Sequence, residues 1–297
     1  MGDMVAIVTY KRPELLESCI SSILGELDES DVLLVVDNDP EQSARPVVAE
    51  HAGRDPRVRG MSEPTPGIAA ARNAAVAEFL GEEHEALVFV DDDETATRGW
   101  LRAHREAMAA HAADATFGPV IPQYGDGVPR WVERFDFFAR TDAPTGSDVR
   151  WPATNNVRIG RSLFDLAGGL RFSEDYSMTG GSDTDFFYRS RQAGATLRWV
   201  ADARVDEEVP ISRANLRWLW RRGVRLGNVS ARMLRRQGRG PLWLAFIGVS
   251  RVLAAPPLAV VAAIRRAPVG PELLNIPKGV GMIRALRGSL TQEYARS

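Results

Sequence analysis

The stretch Leu87-Val88-Phe89-Val90-Asp91-Asp92-Asp93 decides how the rest of the chain is read. Four consecutive apolar residues suit a strand buried on both faces, and such strands belong to parallel sheets covered by helices. The run stops abruptly at three adjacent carboxylates. In open parallel sheets ligands bind beyond the carboxyl ends of the strands, so these aspartates stand where a ligand is expected. Val5-Ala6-Ile7-Val8 and Val32-Leu33-Leu34-Val35-Val36 repeat the pattern and end in Thr9-Tyr10-Lys11-Arg12 and Asp37-Asn38-Asp39. A helix after Pro13, a short strand at Val58 and a helix through Arg72 fill the intervals, giving a βαβα signature and an α/β fold.

Three neighbouring carboxylates repel one another by about 1 kcal/mol or more per close pair. A divalent cation relieves this, and hard oxygen ligands favour Mg²⁺ or Mn²⁺, which join one or two carboxylates to a substrate diphosphate. An acidic turn or helix cap before Thr95 is the plain alternative for an isolated run. The position after a buried strand favours the metal.

With 297 residues and 44% apolar content, the chain can bury one large core or two modest ones, which excludes a disordered or fibrous class. Cys19 is the single cysteine and lies on an apolar helical stripe with Leu15, Leu16, Ile20, Ile23 and Leu24, as a packed core thiol would. One cysteine and the absence of a charged-then-apolar opening segment lead to an expectation of the cytoplasm.

The net charge of -2 hides an asymmetry. From Ser212 onward sixteen Lys and Arg face only Glu272 and Glu293, a net of +14 that leaves -16 for the first 211 residues. This divides a body, 1–210, from a basic extension, 211–297, near Pro210. A basic extension suggests an anionic partner such as a phospholipid surface at the inner face of the cell membrane. It contains no nucleic-acid reading module, and nucleic acid is not expected. Pro241 to Ile264 is long and apolar, but Arg251 and Pro256-Pro257 argue against a clean membrane span. Interfacial contact and a helix packed on the protein are the two readings left.

Within the body, residues 1–115 form the regular half. Residues 116–210 are less regular, with Trp131, Trp151 and a helix expected from Asp183 to Ala193, closed by Gly194. Ser182-Asp183-Thr184-Asp185 also reads as a capping box. Thr154-Asn155-Asn156 precedes the alternating Val157 and Ile159, so it should sit where a strand meets the cleft, either as hydrogen-bonding amides or as a plain turn.

Five ordered segments carry a resemblance to a known family: Val8 to Arg12, Val35 to Asp39, Gly67 to Asn73, Phe89 to Asp93, and Gly180 to Asp185. Over roughly Val5 to Pro210 the chain resembles the inverting family-2 glycosyltransferases of the GT-A fold. The resemblance implies a GT-A nucleotide-binding sheet with a mixed acceptor-side region, followed here by the helical extension. It implies transfer of a sugar from a nucleotide diphosphate, UDP first and GDP or dTDP behind it. The acceptor would be a hydroxyl of a glycan, a lipid-linked glycan or a small molecule, in the setting of cell-envelope polysaccharide synthesis.

Residue by residue, the resemblance places Thr9, Arg12, Asp37, Arg72, Asn73, Asp91 and Asp92 at the donor, with Asp37 reading a base N–H. It puts the metal on Asp91 and Asp93. Asp183 becomes the base, with Asp185 as second choice and Gly180-Gly181 shaping the turn before it. The chain departs from the family pattern in three places. Ser182 stands where glutamate is usual before the base, and Asp206 where many relatives have a histidine near the metal. Ala214 precedes Arg217-Trp218 where processive enzymes carry glutamine, which implies a non-processive transferase.

Two other enzyme classes are argued against by residue content. Val90-Asp91-Asp92-Asp93-Glu94-Thr95 fits a phosphatase nucleophile motif, but that chemistry needs a downstream lysine, and Lys11 and Lys278 are the only lysines. A sugar-nucleotide pyrophosphorylase would open with a glycine-rich loop in place of Tyr10-Lys11-Arg12-Pro13. A binding protein that keeps the fold without turnover stays open, on the strength of Ser182 and Asp206.

Overall fold

A computed structural model describes residues 1–139, 143–149, 152–176 and 180–286; Trp151 lies outside them. The strands are β1 (Met4–Thr9), β2 (Val32–Asp37), β3 (Val58–Ser62), β4 (Ala86–Asp91), β5 (Glu94–Ala96), β6 (Ala115–Phe117), β7 (Val120–Gln123), β8 (Asn156–Gly160), β9 (Leu197–Trp199) and β10 (Val205–Glu208). The helices are α1 (Pro13–Leu24), α2 (Arg45–Arg54), α3 (Ile68–Gly81), α4 (Trp100–Ala110), α5 (Arg130–Phe135), α6 (Arg161–Asp165), α7 (Ser182–Gln192), α8 (Leu216–Arg236), α9 (Pro241–Ile264), α10 (Gly270–Leu273) and α11 (Asn275–Ala285).

Seven strands form the main sheet in the order β3-β2-β1-β4-β8-β6-β9, and β5-β10-β7 form a small second sheet. The first four strands of the main sheet are parallel, and β8 runs antiparallel to both β4 and β6. The chain therefore builds outward from β1 through β2 to β3, then returns to place β4 on the other side of β1. Such a reversal opens a crevice at the carboxyl ends of the two strands. Register sets Thr9 level with Asp37, and Val8 level with Asp91.

Alternation along each strand explains why both faces are covered. Met4, Ala6, Leu34, Val36, Leu87 and Phe89 point into one core with Ala69, Val76 and Phe79 of α3. Val5, Ile7, Leu33, Val35, Val88 and Val90 point into the other with Leu16, Cys19 and Ile20 of α1 and Trp100 of α4. Cys19 is fully buried there. Period-2 alternation in an unbroken apolar run can only be satisfied by helices on both sides.

The chain divides into two compact units. The first holds Met1–Ile121 and the described residues of Thr141–Glu207; the second holds 122–139 and 208–286. Residues 122–139 thus cluster with the helical extension, although the sequence pattern groups them with 116–210. Their Val132, Phe137 and Phe138 share a core with Val209, Leu219 and Leu274. In the rest of that unit α11 packs against both α8 and α9. Glycines let these helices approach closely: a Cβ on Gly227 would lie 2.0 Å from the Lys278 carbonyl oxygen.

Candidate active site

The aspartate run sits at the end of β4, with each carboxylate in a different environment. Asp92 is buried; its Oδ2 accepts from the Thr9 hydroxyl at 2.7 Å and its Oδ1 from Arg12 Nη1 at 3.1 Å. The same Arg12 nitrogen lies 3.3 Å from Asp93 Oδ2, so one guanidinium ties two carboxylates together. Burial raises the Asp92 pKa, against the lowering effects of Arg12 and Thr9. Arg12 follows Lys11, a non-glycine residue at φ 55°, a left-handed conformation held in the loop between β1 and α1.

Asp91 lines the crevice, with 45% of its side chain open to solvent. Its pKa is pushed up to about 7, first by desolvation in the surrounding protein and then by Asp93, Asp92 and Glu207, while Arg72 opposes the rise. The backbone of Asp91 is fixed from beneath. Its N–H donates to Glu94 Oε2 at 3.1 Å, and its carbonyl accepts from the Cys19 thiol at 3.4 Å. Asn155 Nδ2 donates to the other Glu94 oxygen at 3.0 Å. Glu94 is fully buried, and sequence reasoning missed it, since nothing in its spacing separates it from an exposed turn residue.

Helix α3 begins after Gly67, whose φ of 117° and ψ of 148° are open only to glycine. Its N–H donates to Asn38 Oδ1 at 3.2 Å, which joins the β2 loop to the helix start. One turn on, the buried Arg72 reaches across the crevice. Its Nη2 lies 4.0 Å from Asp91 Oδ1, its Nη1 donates to Ser182 Oγ at 3.4 Å, and its guanidinium sits 5.8 Å from the Phe172 ring centre. Arg72 thereby connects the aspartate run to the first residue of α7.

Gly180 and Gly181 take φ values of 72° and 99°, turning the chain into α7. The expected capping box does not form: Gly181 is the cap residue, no side chain caps the helix, and Ser182 is instead the acceptor for Arg72. Asp183 is half-buried; its Oδ1 accepts from Thr184 N at 2.7 Å, and its other oxygen has no hydrogen-bond partner among the described residues. Asp185, the second-choice base, is enclosed by the protein. It is fully buried and its Oδ2 accepts from Arg189 Nε at 2.9 Å, one helical turn away.

Other predicted site residues are partly engaged by the protein itself. Asn73 braces the Phe172 segment: its amide donates to the Phe172 carbonyl and accepts from the Phe172 N–H, both at 2.9 Å. Asn156 is likewise engaged. Its Nδ2 donates to the carbonyls of Pro119 and Ala203, and its Oδ1 meets Trp100 Nε1 and His104 Nε2. Asp37 is buried and holds its own loop, taking Asp39 N at 2.9 Å and Ala44 N at 2.8 Å on separate oxygens. A spare lone pair on each oxygen is all that remains for a ligand.

Asp206, where many relatives carry a histidine, lies on β10. It pairs with Thr95, while Glu207 pairs with Glu94. Directly opposed residues in an antiparallel pair share a face. Glu207 therefore shares the face of Glu94 and acts on Asp91, whereas alternation turns Asp206 to the other side. Thr154 is buried beside Asn155, with no partner for its hydroxyl among the described residues.

Asp91 and Asp93 suit a hard divalent cation, being carboxylates two positions apart at one strand end; the Asp91 pKa is raised chiefly by desolvation, with Asp93 among its like-charged neighbours. Asp92 is committed to Thr9 and Arg12. Among the described residues no three His, Cys, Asp or Glu side chains converge on one point. Mg²⁺ and Mn²⁺ fit such a partial site, since they commonly take one or two carboxylates and complete the shell with water and substrate phosphate.

A crevice at the β1/β4 reversal, a strand-end aspartate run and an antiparallel strand inserted next to β4 are the architecture of a GT-A glycosyltransferase. Crystal structures of S. aureus TarS 1–349 share it. The complex with UDP-GlcNAc superposes with a TM-score of 0.56 at 14% identity, covering 97% of this chain and 92% of that one. The complex with UDP gives 0.55 at 14% identity over the same shares. The family model for Glycosyl transferase family 2 matches residues 4–171. The succinoglycan biosynthesis protein ExoM of Rhizobium meliloti (strain 1021) is 34% identical over 239 residues, 80% of this chain and 76% of ExoM. The chain belongs to glycosyltransferase family 2.

Proposed function

We propose that this glycosyltransferase moves a sugar from a nucleotide diphosphate, UDP first, to a hydroxyl of a glycan or lipid-linked glycan, by a single inverting displacement and one sugar at a time. The observation that carries the reading is the Arg72 bridge, which ties the acidic strand end to the residue before Asp183. A diphosphate-binding end and a candidate base thus belong to one crevice. The name of ExoM, a succinoglycan biosynthesis protein, supports a polysaccharide acceptor, and the UDP-GlcNAc complex of TarS supports a UDP-sugar donor.

In this reading Asp183 takes the proton of the acceptor hydroxyl as its oxygen attacks the anomeric carbon, and the bond to the nucleoside diphosphate breaks on the opposite face. Arg12 and Arg72 face the diphosphate and offset the charge that builds on it. Asp91 and Asp93 would hold Mn²⁺ or Mg²⁺, which would supply Lewis-acid stabilisation of the leaving group. Thr9 and Asp92 keep the floor of the site rigid. Thr154 and Asn155 lie in the bend just before β8 and contribute hydroxyl and amide contacts.

The 211–286 extension keeps the enzyme peripheral at the cytoplasmic face of the membrane, where lipid-linked acceptors are presented. A thermal-shift panel of nucleotide sugars with and without Mn²⁺, followed by product analysis, tests the reading. A Mn²⁺-dependent shift with a UDP-sugar and transfer with inverted anomeric configuration are expected. Retained configuration, or donor binding with no transfer to any glycan acceptor, would overturn it.

A further inference from the structure

Helix α9 has two unlike faces. Leu244, Gly248, Ala255, Ala259 and Ala262 are buried. Against α11, a Cβ on Gly279 would lie 2.3 Å from the Gly248 carbonyl oxygen, so the two helices meet backbone to backbone. The opposite face carries Leu242, Phe246, Val249, Leu253, Val260 and Ile264, all exposed, Phe246 by 62% and Leu253 by 70%. Steps of three, four and seven residues keep them on one stripe. At 1.5 Å per residue the stripe is about 33 Å long.

The sequence sets a charge, Arg251, in the middle of this helix. The structure turns it inward, where its Nη1 donates to Asn275 Oδ1 at 3.2 Å and burial lowers its pKa. The outer stripe is therefore free of charge over its whole length. Its two ends are basic: exposed Arg235 and Arg239 precede it, with Arg239 5.5 Å from the Trp243 ring centre, and exposed Arg265 and Arg266 follow it. Residues 212–286 hold fourteen Arg and Lys against Glu272 alone.

We propose that this stripe lies in the plane of an anionic bilayer, its apolar side chains among the acyl chains and its flanking arginines on lipid phosphates. The inference deepens the peripheral placement above and rests on it. Charge selects lipid over a second copy of the chain, since two such faces would bring basic ends together. An anionic leaflet instead attracts each arginine near its surface. Packing selects the in-plane position over a span. α11 is locked to α9, and α8, with seven arginines, is locked to α11. A spanning α9 would draw those arginines toward hydrocarbon, where a charged side chain is strongly disfavoured.

The test is flotation of the full chain with phosphatidylcholine vesicles, with and without phosphatidylglycerol, alongside UDP binding by calorimetry on the same preparation. Binding should require phosphatidylglycerol and weaken on the order of ten-fold or more in high salt. The double variant Phe246→Asp, Leu253→Asp and the double variant Arg235→Gln, Arg239→Gln should each lose flotation and keep UDP binding. Wild-type protein that binds UDP but does not float, or variants that float unchanged, would overturn the membrane contact while leaving the catalytic reading intact. Flotation without UDP binding would uphold the contact and sink the catalytic reading. Resistance to alkaline carbonate extraction would overturn the in-plane position in favour of a span. A dimer broken by the apolar-face variant, with no flotation, would assign the stripe to a second copy.

Discussion

Arg72 Nη1 donates to Ser182 Oγ at 3.4 Å, while its Nη2 stands 4.0 Å from Asp91. One arginine thus couples the donor-side strand end to the helix that presents Asp183. Replacing Arg72 by Ala should lower kcat/KM on the order of 10²-fold or more, as expected for loss of a charged donor at a reacting phosphate. Ser182→Ala removes only an acceptor and should cost a few-fold. Steady-state kinetics of both variants and of the double variant measure the coupling. Additive effects would place the serine outside the same unit.

The three aspartates should separate by variant, because their partners differ. Asp93→Asn should raise the Mn²⁺ concentration needed for half-maximal thermal shift and transfer, with little loss of stability. Asp92→Asn leaves the Arg12 charge less compensated and disturbs the buried Thr9 contact, at about 1–3 kcal/mol of stability. Chelation of the metal should abolish transfer by the wild type, and added Mn²⁺ should restore it. Transfer unaffected by chelation would remove the metal from the site.

Asp183 and Asp185 differ by two positions and should fail in different assays. Asp183→Asn should retain UDP binding and lose about 10²- to 10⁴-fold in turnover, the usual range for a positioned general base. Asp185→Asn breaks a pair whose carboxylate is fully buried and should lower Tm with a smaller change in turnover per folded molecule. Thermal melts beside single-turnover rates distinguish them. A fully active Asp183→Asn enzyme would rule out Asp183 as the base.

Acid should loosen the protein through His104. This ring is fully buried between Thr116 and Asn156, and desolvation lowers its pKa from 6.5 to about 4. Its neutral form is required in the folded state, whereas the unfolded chain binds a proton below pH 6.5. Stability is then complete above pH 6.5 and falls as the pH drops toward 4, by about 3 kcal/mol over that window. Urea unfolding at a series of pH values checks this. His104→Gln should flatten that slope while lowering stability throughout.

The sheet was legible because an apolar strand that ends in polar residues can be buried in few ways. Strands β1, β2 and β4 therefore follow from Val5 to Val8, Val32 to Val36 and Leu87 to Val90, and the aspartate run follows from its place after the last of these. Local sequence did not reveal how polar side chains are shared out. Asn73 and Asn156 are amides beside site residues, yet Asn73 braces the Phe172 backbone and Asn156 is filled by carbonyls and buried rings, all contributed by distant segments. Glu94 and Glu207 meet the run from the small sheet, and only the pairing of β5 with β10 brings them there.

Sequence alone thus determined which strands build the sheet and which polar residues stand at their ends, since hydrophobic alternation and chain order are local properties. Tertiary structure decided which of the candidate polar groups remain open to a ligand. A hydrogen-bonding group has few valences, and whether a neighbour remote in sequence has already filled them depends on packing. Arg251 obeys the same rule: its sequence position argues against lipid contact on α9, and only its turn toward Asn275 leaves the outer face apolar.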